Sequence, residues 1–452
     1  MPKVLILAIT VLLLSCSQKS NVEQQIFPYQ SEVYDFPNGL RGVVVDSGYP
    51  NLIALYVVVQ VGSRNEVEPG RSGFAHLFEH MMFRGTERFP SSKWEEIMQA
   101  AGAETNAYTT DDRTVYHAIF AKEDLEQILE LEADRFQNLK YTEEQFRTET
   151  RAVLSEYNKS FADPFRKLDE ALRDTVYAVH TYKHTTMGFI EDVEAMPEMY
   201  EYGLQFFDRY YRPEYTTIAI VGDVDFAQSK ALIEKHWGDW ERGTHAAEIA
   251  PEPPQNAPKR ADVEFHAPTL PFTVIAYRGP AYDDEIIDSA VLDVISFQAF
   301  GENSAIYKKL VIEEQKVDAL FTDYPDHVDP YPFGIVARVK DANDLDYVES
   351  QILAEIETLR STPIPAEELA EVKSHLRYQF ALSMNSTGAI AGTLAHYLGL
   401  RRTPETINKR YRLYDAVTPE DIQTVSQKYF TPEGRTIVRL GPAMDGMPAE
   451  EQ

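Results

Sequence analysis

The sequence predicts an α+β fold made of two homologous α/β sandwich halves, each a mixed sheet covered by helices. Three observations predict it. Apolar runs of strand length alternate with helical patterns, a proline-rich stretch divides the chain near its middle, and the segments that close the two parts repeat one another. Along the first part, Ile53 to Val59 is continuously apolar, as in a strand covered on both faces. Thr114 to Phe120 and Thr216 to Val221 read as further strands, while Asp124 to Leu139 and Glu198 to Tyr211 carry helical periodicity. A sheet with helices packed on it follows for each part.

The stretch Ala250 to Pro258 has the composition of a semi-rigid linker. Tyr210-Tyr211-Arg212-Pro213-Glu214-Tyr215-Thr216-Thr217-Ile218 overlays Tyr429-Phe430-Thr431-Pro432-Glu433-Gly434-Arg435-Thr436-Ile437 at a constant offset of 219, which also carries Gly222 onto Gly441. In both copies an apparent helix ends at a proline turn and a buried-type strand follows, which marks an internal duplication. The expected organisation is a signal segment at 1–15, a tether at 16–27, a first half at 28–243, a linker at 244–260 and a second half at 261–446.

The first residues read as an export signal. Val4 to Leu14 is almost wholly apolar, and at about 1.5 Å per residue it is too short for a ~30 Å bilayer core but suits a signal-peptide core. The ending Leu13-Leu14-Ser15-Cys16 resembles the lipobox of bacterial lipoproteins, with Cys16 as the lipidated residue. A lipid anchor to the bacterial cell envelope, facing the periplasm, is the expected location. Cys16 is also the only cysteine, so the chain can form neither an internal disulfide nor a cysteine-based zinc cluster.

The chain has 452 residues, 44% of them hydrophobic, enough for more than one core. With 43 Lys and Arg against 72 Asp and Glu, its formal charge is −29. That balance argues against nucleic acid as a partner, because phosphates must be neutralised by clustered cations. It favours neutral or basic ligands over anionic ones.

The segment Gly73 to Arg84 reads as a helix and contains His76-Leu77-Phe78-Glu79-His80. Four residues apart, His76 and His80 share one helix face and can take one metal ion together. Phe74, Leu77, Phe78, Met81, Met82 and Phe83 make the helix apolar nearly all round, so it should be buried. An ionised Glu79 there costs several kcal/mol unless it is paired or lies near a cation, and a metal resolves that conflict. The competing reading is two core histidines beside one satisfied glutamate. A catalytic zinc usually keeps three protein ligands and one open position. Thr142 to Lys159 reads as a second helix, with Thr142 and Gln145 as a capping box and Phe146, Val153, Leu154 and Tyr157 as its apolar stripe. Glu149 and Glu156 lie seven apart along one edge of that stripe, one suited to a ligand and the other to a supporting group, and the pattern alone does not rank them.

With these residues in hand, the sequence resembles the pitrilysin-type (M16, inverzincin) zinc metallopeptidases, whose signature is H-x-x-E-H with a ligand glutamate some 75 residues later. Val61-Gly62-Ser63-Arg64-Asn65-Glu66, Gly73-Phe74-Ala75, Asn106-Ala107-Tyr108-Thr109, His180-Thr181-Tyr182, Gly188 and Tyr211-Arg212-Pro213 match family segments as well. The resemblance implies the pitrilysin/LuxS-like metallohydrolase sandwich. It implies one zinc per chain, held by His76, His80 and Glu156, with Glu79 as general base and Glu149 orienting a histidine ligand. It further implies that peptide substrates add a strand beside Asn106, Ala107, Tyr108 and Thr109. The activity implied is endopeptidase cleavage of oligopeptides or unfolded polypeptides.

One departure stands out. Self-sufficient members carry an Arg and, seven residues on, a Tyr in the second half, and these positions fall on Val311 and Asp318. A related zinc-less partner subunit supplying that pair is the expectation, with a homodimer as the other assembly. A slipped register, with Tyr324 and Arg338 as the pair, and a lipid-anchored zinc- or peptide-binding scaffold are the alternatives.

Overall fold

The computed structural model describes residues 25–442. Strands β1 (Ser31–Asp35), β2 (Arg41–Asp46), β3 (Leu52–Val59), β4 (Glu104–Thr109), β5 (Thr114–Ala121) and β6 (Thr216–Gly222) form a sheet ordered β1-β2-β6-β3-β5-β4. Strands β7 (Lys259–Phe265), β8 (Phe272–Arg278), β9 (Val317–Asp323), β10 (Pro332–Val339) and β11 (Arg435–Pro442) form a second, ordered β7-β11-β8-β10-β9. The second order repeats the first from β2 onward. In each sheet one pair is parallel, β2 with β6 and β7 with β11, and the remaining pairs are antiparallel. Even the register repeats: Thr216 faces Val59 and Arg435 faces Tyr277. The duplication expected from the chain ends therefore extends through both sheets.

The apolar runs explain the central strands. Every residue of β6 is buried, as is all of β3 after Leu52, so both faces of this sheet are covered. One face packs on helices of its own half, among them α1 (Phe74–Met81), α2 (Ser91–Ala100), α3 (Leu125–Asn138) and α4 (Glu143–Ser160). The other face receives a helix from the opposite half, Thr387–Arg401, whose Ile390, Leu394 and Leu398 are completely buried. Helix α5 (Pro164–Val176) returns the exchange: its Leu168, Leu172 and Val176 pack on Phe272, Val274 and Val438 of the second sheet. Burying such a side chain contributes about 1.5–3 kcal/mol.

Buried polar groups fix the relative placement of the halves. Asp111, in the turn between β4 and β5, accepts from Arg173 Nη1 at 2.8 Å and from Ser63 Oγ at 2.7 Å, and its other oxygen lies 2.9 Å from His327 Nε2. Asp112 beside it accepts from the Tyr182 hydroxyl at 2.5 Å and the Val328 N–H at 3.0 Å. The site of this turn also requires Gly62, because a Cβ there would lie 2.2 Å from the Thr110 carbonyl oxygen.

Two expected boundaries shift. The tether ends before residue 27, since Phe27 is 2% exposed and its N–H donates to Asn408 of the second half. Its apolar ring belongs in a core, and the polarity of the preceding residues concealed that. Lys259 and Arg260, expected in the linker, open β7 because their backbone pairs with Thr436 and Ile437, respectively. The signal segment, Cys16 and residues 443–446 lie outside the described residues. Among the described residues no helix is long and apolar enough to cross a membrane.

Candidate metal centre

Helix α1 is started from outside itself. Gly73, at φ +89°, and Ala75 donate their N–H groups to Glu66 Oε2 and Oε1, both at 2.7 Å. Burial pushes the Glu66 carboxyl up to about 8, while these two bonds favour its charged form. Phe74, Leu77, Phe78 and Met81 anchor the helix in the core, with Phe78 stacked on Phe206 at 5.2 Å between ring centroids. That packing turns His76, Glu79 and His80 together towards α4 and β4, and the two imidazoles lie edge to face at 4.9 Å.

The axial placement of α4 against α1 decides between the two acids that spacing alone left unranked. Its capping box is formed: the Thr142 hydroxyl accepts from the Gln145 N–H at 3.2 Å, and Gln145 Oε1 accepts from the Thr142 N–H at 2.8 Å. With Phe146, Val153 and Tyr157 buried, Glu156 faces the histidines. Glu156 Oε1 is 3.7 Å from His76 Nε2 and Oε2 is 3.3 Å from His80 Nε2. The three side chains can place one ligand atom each within 4.8 Å of one another, the only such group among the described residues. Glu149, buried, lies two turns earlier, 3.5 Å from His80 Nδ1 and in contact with Arg84. At that length it neighbours the imidazole without a hydrogen bond of ordinary geometry.

The donors suit zinc in kind and spacing. Ligands about 2 Å from a tetrahedral ion stand roughly 3.3 Å apart, close to the separations Glu156 makes with the two rings. Burial, aided by the neighbouring His80, pulls the His76 pKa down to about 4, which leaves a neutral imidazole of the kind a metal requires. Glu79 is half-buried and its Oε2 accepts from the Thr109 hydroxyl at 2.6 Å. Burial raises its pKa, against the lowering effects of that bond and of His80.

Strand β4 closes the site and is the edge of its sheet. The Ala107 N–H donates to Asn106 Oδ1 at 2.8 Å, so a side chain satisfies it in place of a neighbouring strand. Clefts open on either side of Glu79 and Ala107. One, of about 450 Å³, is lined by His80, Phe83, Arg84 and Asn106. The other, of about 240 Å³, is lined by His76, Tyr108, Glu156, Phe161 and Arg166. All nine residues singled out from sequence are therefore gathered here. Arg84, Glu66 and Arg166 were not singled out for the site. Arg84 stands one turn beyond His80, which was its only sequence signal.

No residue of the second half lines either cleft among the described residues. Val311 packs against the core of the second half, in a π-helical segment at Lys308–Glu313, and Asp318 pairs with Arg338 Nε at 2.6 Å. Tyr324 packs on Phe333 at 5.4 Å. The register slip thus brings neither Tyr324 nor Arg338 to the clefts.

Comparison with known proteins agrees with this architecture. Residues 43–189 match the family model for insulinase (peptidase family M16), and residues 201–376 match that for the peptidase M16 inactive domain. The chain belongs to peptidase family M16. Among its relatives, the zinc protease PqqE of Helicobacter pylori is 26% identical over 94% of this chain and 95% of its own. The mitochondrial-processing peptidase subunit beta of Blastocladiella emersonii is 24% identical over 91% of this chain and 89% of its own. A crystal structure of a protease from Helicobacter pylori superposes with a TM-score of 0.85 at 26% identity, covering 92% of this chain and all of that one. A peptidase M16 inactive domain from Pseudomonas fluorescens shares the fold, with a TM-score of 0.80 at 16% identity, over 93% of this chain and 100% of that one.

Proposed function

We propose that this chain is a zinc-dependent endopeptidase acting on oligopeptides or unfolded polypeptides. One observation carries the reading: a half-buried glutamate stands between two histidines of a metal-type cluster and is held by an open sheet edge. A site that only binds metal has no need of such a base.

His76, His80 and Glu156 would hold one zinc ion. When bound, zinc supplies Lewis-acid polarisation of the scissile carbonyl and a lowered pKa for the attacking water. The chain's own residues do the rest. The β4 edge takes the substrate backbone as an added strand, with the Ala107 N–H exchanging the Asn106 side chain for a substrate carbonyl. Glu79, its proton affinity raised by burial, accepts the water's proton and returns it to the leaving amine. Thr109 fixes the carboxylate during both transfers, and Glu149 sets its charge beside the His80 ring.

Val311 and Asp318 offer no side-chain donor for a developing oxyanion, and one such donor is worth about 3–4 kcal/mol. A related zinc-less subunit would supply the missing pair, whereas a homodimer would bring the same Val311 and Asp318. Cys16 would carry the lipid that holds the protein to the envelope, on its periplasmic side.

The test is Glu79→Gln in the mature chain, assayed with and without the candidate partner. Zinc content should be unchanged, and hydrolysis of quenched peptides should fall by about 10²–10⁴. Turnover that survives the substitution contradicts the mechanism. Zinc binding without turnover in every preparation would favour the scaffold reading.

A further inference from the structure

We propose that Arg166 is a specificity-determining residue that reads a carboxylate on the substrate, on the Glu156 side of the metal cluster. The substrate in question is the peptide of the proposed function, and the inference rests on that reading. Arg166 is the only Lys or Arg among the described residues that line the 240 Å³ cleft beside His76, Glu79 and Glu156.

Its surroundings leave it without a counter-ion. Arg166 lies exposed in the first turn of α5, and every acid of that helix and of its cap is engaged elsewhere. Asp163 Oδ1 accepts from the Phe165 N–H at 2.9 Å. Asp169 pairs with Arg173 at 3.1 Å, and Asp174 pairs with Lys183 at 2.6 Å. Glu170 accepts from the Tyr157 hydroxyl at 2.9 Å and contacts Lys167. Among the described residues no carboxylate comes within ion-pair distance of Arg166, in a protein where acids outnumber bases 72 to 43. The arginine of the opposite cleft provides the contrast, because Arg84 is neutralised by Glu149.

Position adds to charge. A cation in the first turn of a helix is repelled by the helix dipole, so Arg166 and the start of α5 are two positive sources at one rim of a cleft whose other side carries Glu79 and Glu156. A guanidinium presents a planar fork of donors matched to a carboxylate, and a substrate acid seated there would complete the pair. The whole-molecule charge favours neutral or basic peptides, yet the Arg166 rim of this cleft favours the opposite sign. The shared chemistry is a carboxylate, from an internal Asp or Glu or from a peptide C-terminus.

The experiment uses one peptide frame carrying Glu, Gln or Lys at each position in turn, with free and amidated C-termini. Binding to the zinc-loaded Glu79→Gln chain is read by fluorescence anisotropy, and turnover by the unsubstituted chain as kcat/KM. At one position the Glu peptide should bind about tenfold more tightly than the Lys peptide, a ratio that Arg166→Lys keeps and Arg166→Glu reverses. An Arg166-dependent preference for free over amidated peptides, with no Glu-to-Lys difference, would assign the carboxylate to the C-terminus, and a Glu-over-Lys preference that persists on amidation would assign it to a side chain. A Glu-to-Lys ratio and a free-to-amidated ratio both unmoved by Arg166→Glu, or no binding of any peptide, overturns the inference. Arg166-dependent binding without hydrolysis would instead support it and contradict the peptidase reading.

Discussion

The hydroxyl of Thr109 lies 2.6 Å from Glu79 Oε2, so the last residue of the edge strand that would receive substrate is bonded to the residue that would act as base. Strand and base are thereby set in one geometry. Two residues further on, Asp111 is gripped by Arg173 and by His327 of the second half. The half that offers no metal ligand thus supports the strand that positions the base.

Replacing Thr109 by Val keeps the shape and removes the donor. A hydrogen bond to a charged group is worth about 1.5–3 kcal/mol, so kcat should fall by roughly 10–100-fold. Zinc content and KM should stay close to the parent values. A large rise in KM with kcat intact would place Thr109 in substrate binding alone.

Glu149 touches Arg84 and neighbours His80 without being one of the three clustered donors. Glu149→Gln should weaken zinc affinity by about 10–100-fold, as supporting partners of metal ligands generally do. Glu156→Gln should weaken it far more. Competition with a chromophoric chelator measures both, and equal losses would mean that the two acids share the ligand role.

Ala107 offers a test of strand addition. Its N–H bonds only its neighbour's side chain, so proline there removes a donor that the fold's own ladder does not use. Ala107→Pro should leave the melting temperature nearly unchanged while lowering kcat/KM by at least about tenfold, the worth of one to two hydrogen bonds. Full activity in this variant would exclude pairing of substrate at this position.

His327 supplies a pH signature for the contact between the halves. It is buried, stacks on Tyr331 at 3.6 Å and lies against Asp111, whose charge raises the His327 pKa and is itself held well below the usual carboxylate range by Arg173 and His327. A raised histidine stabilises in full below its unfolded pKa of about 6.5, and that contribution is lost as pH climbs through the higher native value. The excess melting temperature of the parent over His327→Gln should therefore be largest near pH 6 and shrink towards pH 9. An excess that stays constant or grows would mean that His327 is neutral in the fold.

Much of the site was legible in the sequence because its chemistry is local. His76, Glu79 and His80 fall within one helical turn and a half, and the capping box at Thr142 and Gln145 fixes where α4 begins. The choice between Glu149 and Glu156 was not local. It depends on where along its axis α4 crosses α1, which Phe146, Val153 and Tyr157 settle by packing. Arg84 and Arg166 carry no motif, and only the distance to a cleft distinguishes them from other arginines on helices. The repeat was readable at Thr216 and Arg435, but the crossing of α5 and Thr387–Arg401 between halves joins residues far apart in the chain. No periodicity within either helix names the sheet it will cover.

That crossing has a consequence for the connection at residues 244–258. Each half keeps its sheet dry with a helix borrowed from the other, so covalent continuity sets the local concentration of each helix at its foreign sheet. Severing the connection would leave the contacts in place but turn a property of one chain into a complex of two unlike fragments. Its persistence would then depend on dilution, which no intact chain of this protein feels.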